Sequence, residues 1–255
     1  MNKVIKYVIY DIIRNKIVIA YTAFLLLISL SFLNLEPDPN KGILSLLNIM
    51  LIVVPLVSII FSTIHFYNSY EFIELLLSQP LSRRRIFLSE YAGVASSLAY
   101  AFLAGVGIPV LIFNGSDKAL MLILVGLLQT LIFVSLAFLA SVLTRDKAKG
   151  IGAALMLWFY FSLIYDGLVL TVLFAFNDYP LEKIMLVFTA LNPVDLGRVM
   201  LLLKMDISAL MGYTGAIFKQ VFNSQLGLII SLFVMLLWAI VPMWIALRIF
   251  TKKDL

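Results

Sequence analysis

Residues 71–91 read EFIELLLSQPLSRRRIFLSEY. On one side lies Gly42–Tyr70, which carries no charge apart from the neutral His65; on the other lies Tyr91–Ser116, which carries none. Each run exceeds the roughly 20 apolar residues that a helix needs to cross the hydrocarbon core. The polar stretch is therefore a connection between two membrane spans, and its composition suits a short helix. Glu71 and Glu74 stand three residues apart and share one helical face. Phe72 and Leu75–Leu77 supply apolar anchors, Pro80 stops the helix, and Ser82 can cap the next one before Arg83, Arg84 and Arg85. An amphipathic knob with a charged rim fits a groove on another protein. The plainer reading is a basic loop resting at the lipid headgroups.

Working outward, the rest of the chain is a membrane protein too. Of 255 residues, 63% are hydrophobic and only 13% charged, against about a quarter charged in ordinary globular domains. Further uncharged runs cover Ile17–Leu35, Ala119–Thr144 and Gln220–Leu247, and Gly150–Asn177 holds a single charge, Asp166. The expectation is an all-α membrane protein with about six transmembrane helices, organised as one domain over residues 1–255. With no cysteine and one histidine, disulfides, thiolate metal sites and all-histidine zinc clusters are excluded. No metal site is expected in this chain.

Charge sets the orientation. One group of connections holds Lys3, Lys6, Arg14 and Lys16, then Arg83–Arg85, then Arg145, Lys147 and Lys149, then Arg248, Lys252 and Lys253. The other group begins with only Lys41 and Lys118. By the positive-inside rule both termini are cytoplasmic, in a multi-pass protein of the inner membrane. The excess charge of +5 is thereby explained without nucleic acid.

Two segments flank the spans. Residues 1–16, MNKVIKYVIYDIIRNK, interleave charge with apolar residues at helical spacing, as in an amphipathic helix lying in the interface rather than a cleaved signal peptide. The outer connection, residues 178–219, contains short helices: one after Pro180, and one opened by Asn192 as cap, Pro193 at the first helical position and Asp195 in the first turn, followed by Arg198. So apolar a segment is expected to dip into the outer leaflet, cover the spans or bind a partner.

No phosphate-binding loop, zinc-protease motif or nucleophile elbow is present, so the chain is not expected to be an enzyme. Asp166, in the outer half of its span, and His65 are candidates for a cavity, set against ordinary packing between helices. The methionines suit Cu(I) chemically but are scattered, which favours core filling. Pro55, Pro109 and Pro242 lie inside spans and are expected to kink them.

The layout resembles the ABC-2 type permeases of ATP-binding-cassette transporters. The carrying residues are Glu71, the turn Leu76-Leu77-Ser78-Gln79-Pro80-Leu81-Ser82 and Arg83–Arg85. Two positions depart from the pattern: the Gly-Thr that often follows the acid is replaced around Phe72-Ile73-Glu74, and the usual Lys opening the third span is Glu90. Three patches, LLLSQPLSRRRIFLSEYAG (75–93), WFYFSLIYDGLVL (158–170) and LNPVDLGRV (191–199), are similar to the permeases of transporters that mature nitrous oxide reductase. The resemblance implies that residues 71–86 form a coupling segment touching an ATPase through Glu71, Phe72, Glu74, Leu75, Pro80, Arg83, Arg84 and Arg85. It implies a second copy of the chain, two cytoplasmic ATPase subunits that hold ATP and Mg, and no cofactor in this chain. It also implies a periplasmic β-helical protein, docked at Asn192, Pro193, Asp195 and Arg198, and a copper chaperone, serving assembly of a copper–sulfur centre. The alternatives are an exporter of lipid, drug or peptide, and an intramembrane enzyme or ion-coupled carrier centred on Asp166.

Overall fold

The computed structural model describes residues 2–78, 81–113, 115–176, 182–205 and 225–252. Every regular element among them is a helix. In chain order these are α1 (Asn2–Ile13), α2 (Lys16–Leu35), α3 (Pro39–Asn68), α4 (Tyr70–Leu77), α5 (Arg83–Phe102), α6 (Ile108–Phe113), α7 (Asp117–Leu143), α8 (Lys147–Phe159), α9 (Tyr165–Ala175), α10 (Glu182–Leu191), α11 (Pro193–Lys204) and α12 (Gln225–Lys252). A π-helical turn, Leu103–Gly107, joins α5 to α6, and another, Tyr160–Ile164, joins α8 to α9. Six stretches are long and apolar enough to span a membrane: Lys16–Leu35, Asn40–Asn68, Arg83–Phe113, Asp117–Leu143, Lys147–Ala175 and Gly227–Lys252. They match the uncharged runs, with one instructive shift. The third span starts at Arg83 rather than Tyr91, so the arginines and Glu90 belong to the span helix itself.

Local chemistry fixes the boundaries. Asn15, Asp38, Ser116 and Asp146 each accept a backbone N–H of the helix they precede, with Pro39 at the first position of α3. The turn Leu103–Gly107 has a cause in Pro109. A proline has no N–H to give the carbonyl four residues back, which is Gly105, and that carbonyl is taken instead by the Ser29 hydroxyl of α2 at 2.7 Å. Pro55 and Pro242 are carried inside continuous helices.

Span four, α7, is the hub of the bundle: 78% of its apolar window is buried, and α3, α5, α8, α11 and α12 pack on it. Phe66, Phe87 and Tyr91 meet the ring of Phe138 edge-on at 5.3–5.5 Å. Met50, Met200, Met205 and Met235 are buried apolar filler. The end of α3 at Asn68, the start of α5 at Arg83–Arg85, the end of α7 with the following Arg145 and Lys147, and the end of α12 with Arg248 and Lys252 converge on one end of the bundle, where the Tyr67 hydroxyl meets Thr144, Lys147 meets Asn68 and Phe87 meets Phe250. We call this the basic end. At the opposite end Lys118 donates to Asn40 and Lys204 pairs with Asp117.

The N-terminal helix docks more firmly than an interfacial helix must. Val8 and Ile12 of α1 are buried, and Val8 sits where a Cβ on Gly93 of α5 would be. Tyr7, Tyr10 and Ile13 stay exposed, so the buried stripe is narrower than the apolar periodicity suggests.

Candidate functional site

Two constellations gather the residues that the sequence singles out. The first is α4 at the basic end. Eight residues are too few for a stable isolated helix, so packing must hold it. Ile73 and Leu76 are buried under it, Phe72 is half-buried, and its ring lies 5.5 Å from Tyr7 of α1. The opposite face presents Glu71, Glu74, Leu75 and Ser78, all exposed, at the spacing of one helical stripe. Leu75 is 58% exposed between two carboxylates. Only Leu75 of the Leu75–Leu77 patch therefore looks outward; Leu76 turns in. Arg84 and Arg85 are exposed in the first turn of α5 and Arg83 is half-buried. Pro80 lies outside the described residues. Ser82 sits at the cap position of α5 without making a side-chain cap.

The second constellation is a hairpin formed by α10 and α11, whose axes meet at 113°. Lys204 at the end of α11 pairs with Asp117 at the start of α7. The beginning of α11 lies much deeper: the Pro193 carbonyl accepts Nε2 of Gln129 at 2.6 Å. Gln129 is twelve residues into α7, about 18 Å from its end at about 1.5 Å per residue. Helix α11 thus runs from mid-height in the bundle out to the opposite end.

Carbonyls at the end of α10 have no helical partners, and at membrane depth none can be left to lipid. Each is met. The Tyr165 hydroxyl donates to the Phe188 carbonyl at 2.6 Å, the Trp238 indole to the Ala190 carbonyl at 3.0 Å, and the Asn192 backbone N–H to the Thr189 carbonyl at 3.2 Å. Asn192, fully buried, closes the tip. Its Oδ1 accepts from the Val194 N–H at 2.9 Å while its Nδ2 donates to the Phe161 carbonyl in the second π turn and to Asp195. Close approach of α11 to α7 depends on Gly197: a Cβ there would stand 2.8 Å from Gln129 Nε2 and 2.9 Å from Val125. Gly197→Val is expected to destabilise the protein by about 1–3 kcal/mol through overpacking, read as a lowered unfolding midpoint in detergent.

Asp166 belongs to this hairpin. Its Oδ2 is 3.3 Å from the Arg198 guanidinium, which also bonds Asp195 at 3.1 Å. Asp166 and Arg198 are 38% and 36% exposed on the flank of the bundle. The structure therefore joins Asp166 with Asn192, Asp195 and Arg198, and separates it from His65. His65, near the basic end of α3, faces Glu90 of α5. Gln129 and Trp238 are functional candidates that sequence reading missed. The available signal was each one's presence as a polar group inside an apolar span.

The sequence of this chain matches the family model of ABC-2 family transporter proteins over residues 3–255. It is 31% identical over 145 residues to the probable ABC transporter permease protein NosY of Pseudomonas aeruginosa, covering 53% of each chain. It is 31% identical over 138 residues to the protein of the same description from Stutzerimonas stutzeri, covering 49% of each. The chain thus aligns with about half the length of these curated relatives. A match over nearly all its residues, on six apolar spans, places the chain in the ABC-2 family of transporter proteins, as a membrane permease.

Proposed function

We propose that this permease works as a pair of copies bound to two cytoplasmic ATPase subunits, which hold the ATP and Mg. Closure of the ATPases pushes α4 and tilts the spans, and the motion reaches the α10–α11 hairpin on the periplasmic side. The observation that carries this reading is the divided face of α4: Ile73 and Leu76 key it to the bundle while Glu71, Glu74 and Leu75 point outward. Such a ridge suits a groove on another protein, and Arg84 and Arg85 extend its charged rim.

The hairpin suits a periplasmic partner, and the ion pair Asp166–Arg198 suits a second copy. A half-exposed carboxylate at that depth is costly against acyl chains, and a patch bearing one anion and one cation is self-complementary across a two-fold axis. Likeness to proteins described as NosY supports a place in assembling the copper–sulfur centre of nitrous oxide reductase, with a β-helical periplasmic protein and a copper chaperone as further partners. Gentle purification of the tagged protein from native membranes, followed by mass spectrometry, tests this. An ATPase together with a periplasmic β-helical protein is the expected outcome. An ATPase alone points to an exporter of lipid, drug or peptide; no ATPase contradicts the reading.

A further inference from the structure

We propose that His65 and Glu90 form a latch that ties α4 to the third span, so that a displacement of α4 moves that span with it. Glu90 lies seven residues beyond Arg83, on α5, with its side chain only 2% exposed. Its Oε2 stands 3.5 Å from His65 Nε2, and its Oε1 has no hydrogen-bond partner. The His65 side chain is 10% exposed, and its ring stacks on Phe61 of the same helix at 6.0 Å. The same Nε2 lies 3.3 Å from the Ser69 hydroxyl.

Ser69 is the single residue between α3 and α4. A serine at that position ordinarily caps the helix it precedes, yet here its side chain makes no cap bond and turns back to His65. One imidazole nitrogen therefore stands between the residue that starts α4 and a carboxylate buried in the third span. An apolar residue in place of Glu90 would cost less to bury, because a carboxylate with one polar neighbour recovers little of its lost hydration. What the pair supplies instead is a fixed connection between the end of α3 and α5. The apolar contacts of α4 orient it; the latch fixes its height against α5. His65 and Glu90 are thus positioning residues, acting through Ser69 and the helix.

The mechanical consequence rests on the permease reading, but the test does not. Hydrogen exchange is followed in the purified chain in lipid nanodiscs, comparing Glu90→Gln, His65→Leu and the milder Ser69→Ala with the parent. The expected result is exchange in Ile73–Leu77 faster by at least about tenfold in the first two variants, the scale of one lost buried polar contact, with the amides of α7 unchanged. Ser69→Ala should loosen α4 and leave α5 as it was. The charge-swapped pair His65→Glu with Glu90→Lys should restore slow exchange. Unchanged exchange in α4, or a rise shared equally by α7, would overturn the latch and leave the permease reading standing. Absence of any ATPase in the native complex would do the reverse.

Discussion

Leu75→Glu is expected to abolish coupling while leaving the permease folded. Leu75 is exposed and is not among the buried core residues, so the substitution removes little internal packing. It places a third carboxylate on the stripe that already carries Glu71 and Glu74. If Leu75 is the apolar anchor of a docked helix, its loss costs at least about 2 kcal/mol of binding, roughly 30-fold in affinity. The check is co-purification with the ATPase, together with the unfolding midpoint of the permease. Loss of the ATPase at an unchanged midpoint is the predicted pair of results. Leu76→Glu should behave in the opposite way, lowering the midpoint, because Leu76 is buried. A charge reversal of Arg84 and Arg85 tests the other side of the rim and should weaken ATPase binding, more at low salt than at high.

Asn192→Leu is expected to be the most disruptive single change in the half of the bundle away from the basic end. Asn192 caps α11 and binds the Phe161 carbonyl and Asp195. Leucine fills the volume and satisfies none of them, leaving a buried N–H and a buried carbonyl without partners at the deepest point of the hairpin. Each such orphan costs about 1–3 kcal/mol, so the hairpin should lose roughly 2–6 kcal/mol against the bundle. Limited proteolysis of the permease in lipid nanodiscs should then cut within α10 or α11, sites protected in the parent. Asn192→Asp keeps the acceptor for the Val194 N–H but brings a carboxylate against the Phe161 carbonyl and Asp195. Intermediate protection is expected from it.

The six spans were legible because a charge-free run of such length is seldom anything but a membrane helix, and the helix start at Asn192 was legible from cap chemistry, whereas Ser82 holds the cap position of α5 without a cap bond. The hairpin was half legible: its second helix showed in Asn192-Pro193-Val194-Asp195, but its depth did not. Depth is set by Gln129, Tyr165 and Trp238, which lie in three spans far apart in sequence. Each reads alone as an isolated polar residue in an apolar run. Asp166 and Arg198 were both visible as charges, and only the fold shows them paired. His65 and Glu90 were likewise visible, yet sequence alone groups His65 with Asp166 because both interrupt otherwise apolar spans. The structure divides them, since antiparallel packing of α3 and α5 brings the last turns of one beside the first turns of the other. The apolar periodicity of α1 continues through Ile13 whereas its buried face ends at Ile12, so the sequence overstates the extent of that face.

If α4 is the surface on which a cytoplasmic ATPase acts, proximity labelling from it should find that ATPase, and the chain permits a direct test because it contains no cysteine. A single cysteine at Leu75, introduced into the tagged protein and treated in native membranes with a short thiol-to-amine cross-linker, should yield one dominant adduct. Mass spectrometry should identify that adduct as an ABC ATPase, and a cysteine at buried Leu76 should yield none. Adducts at residue 75 with lipid-associated or unrelated proteins only, while the permease stays folded, would contradict this role for α4.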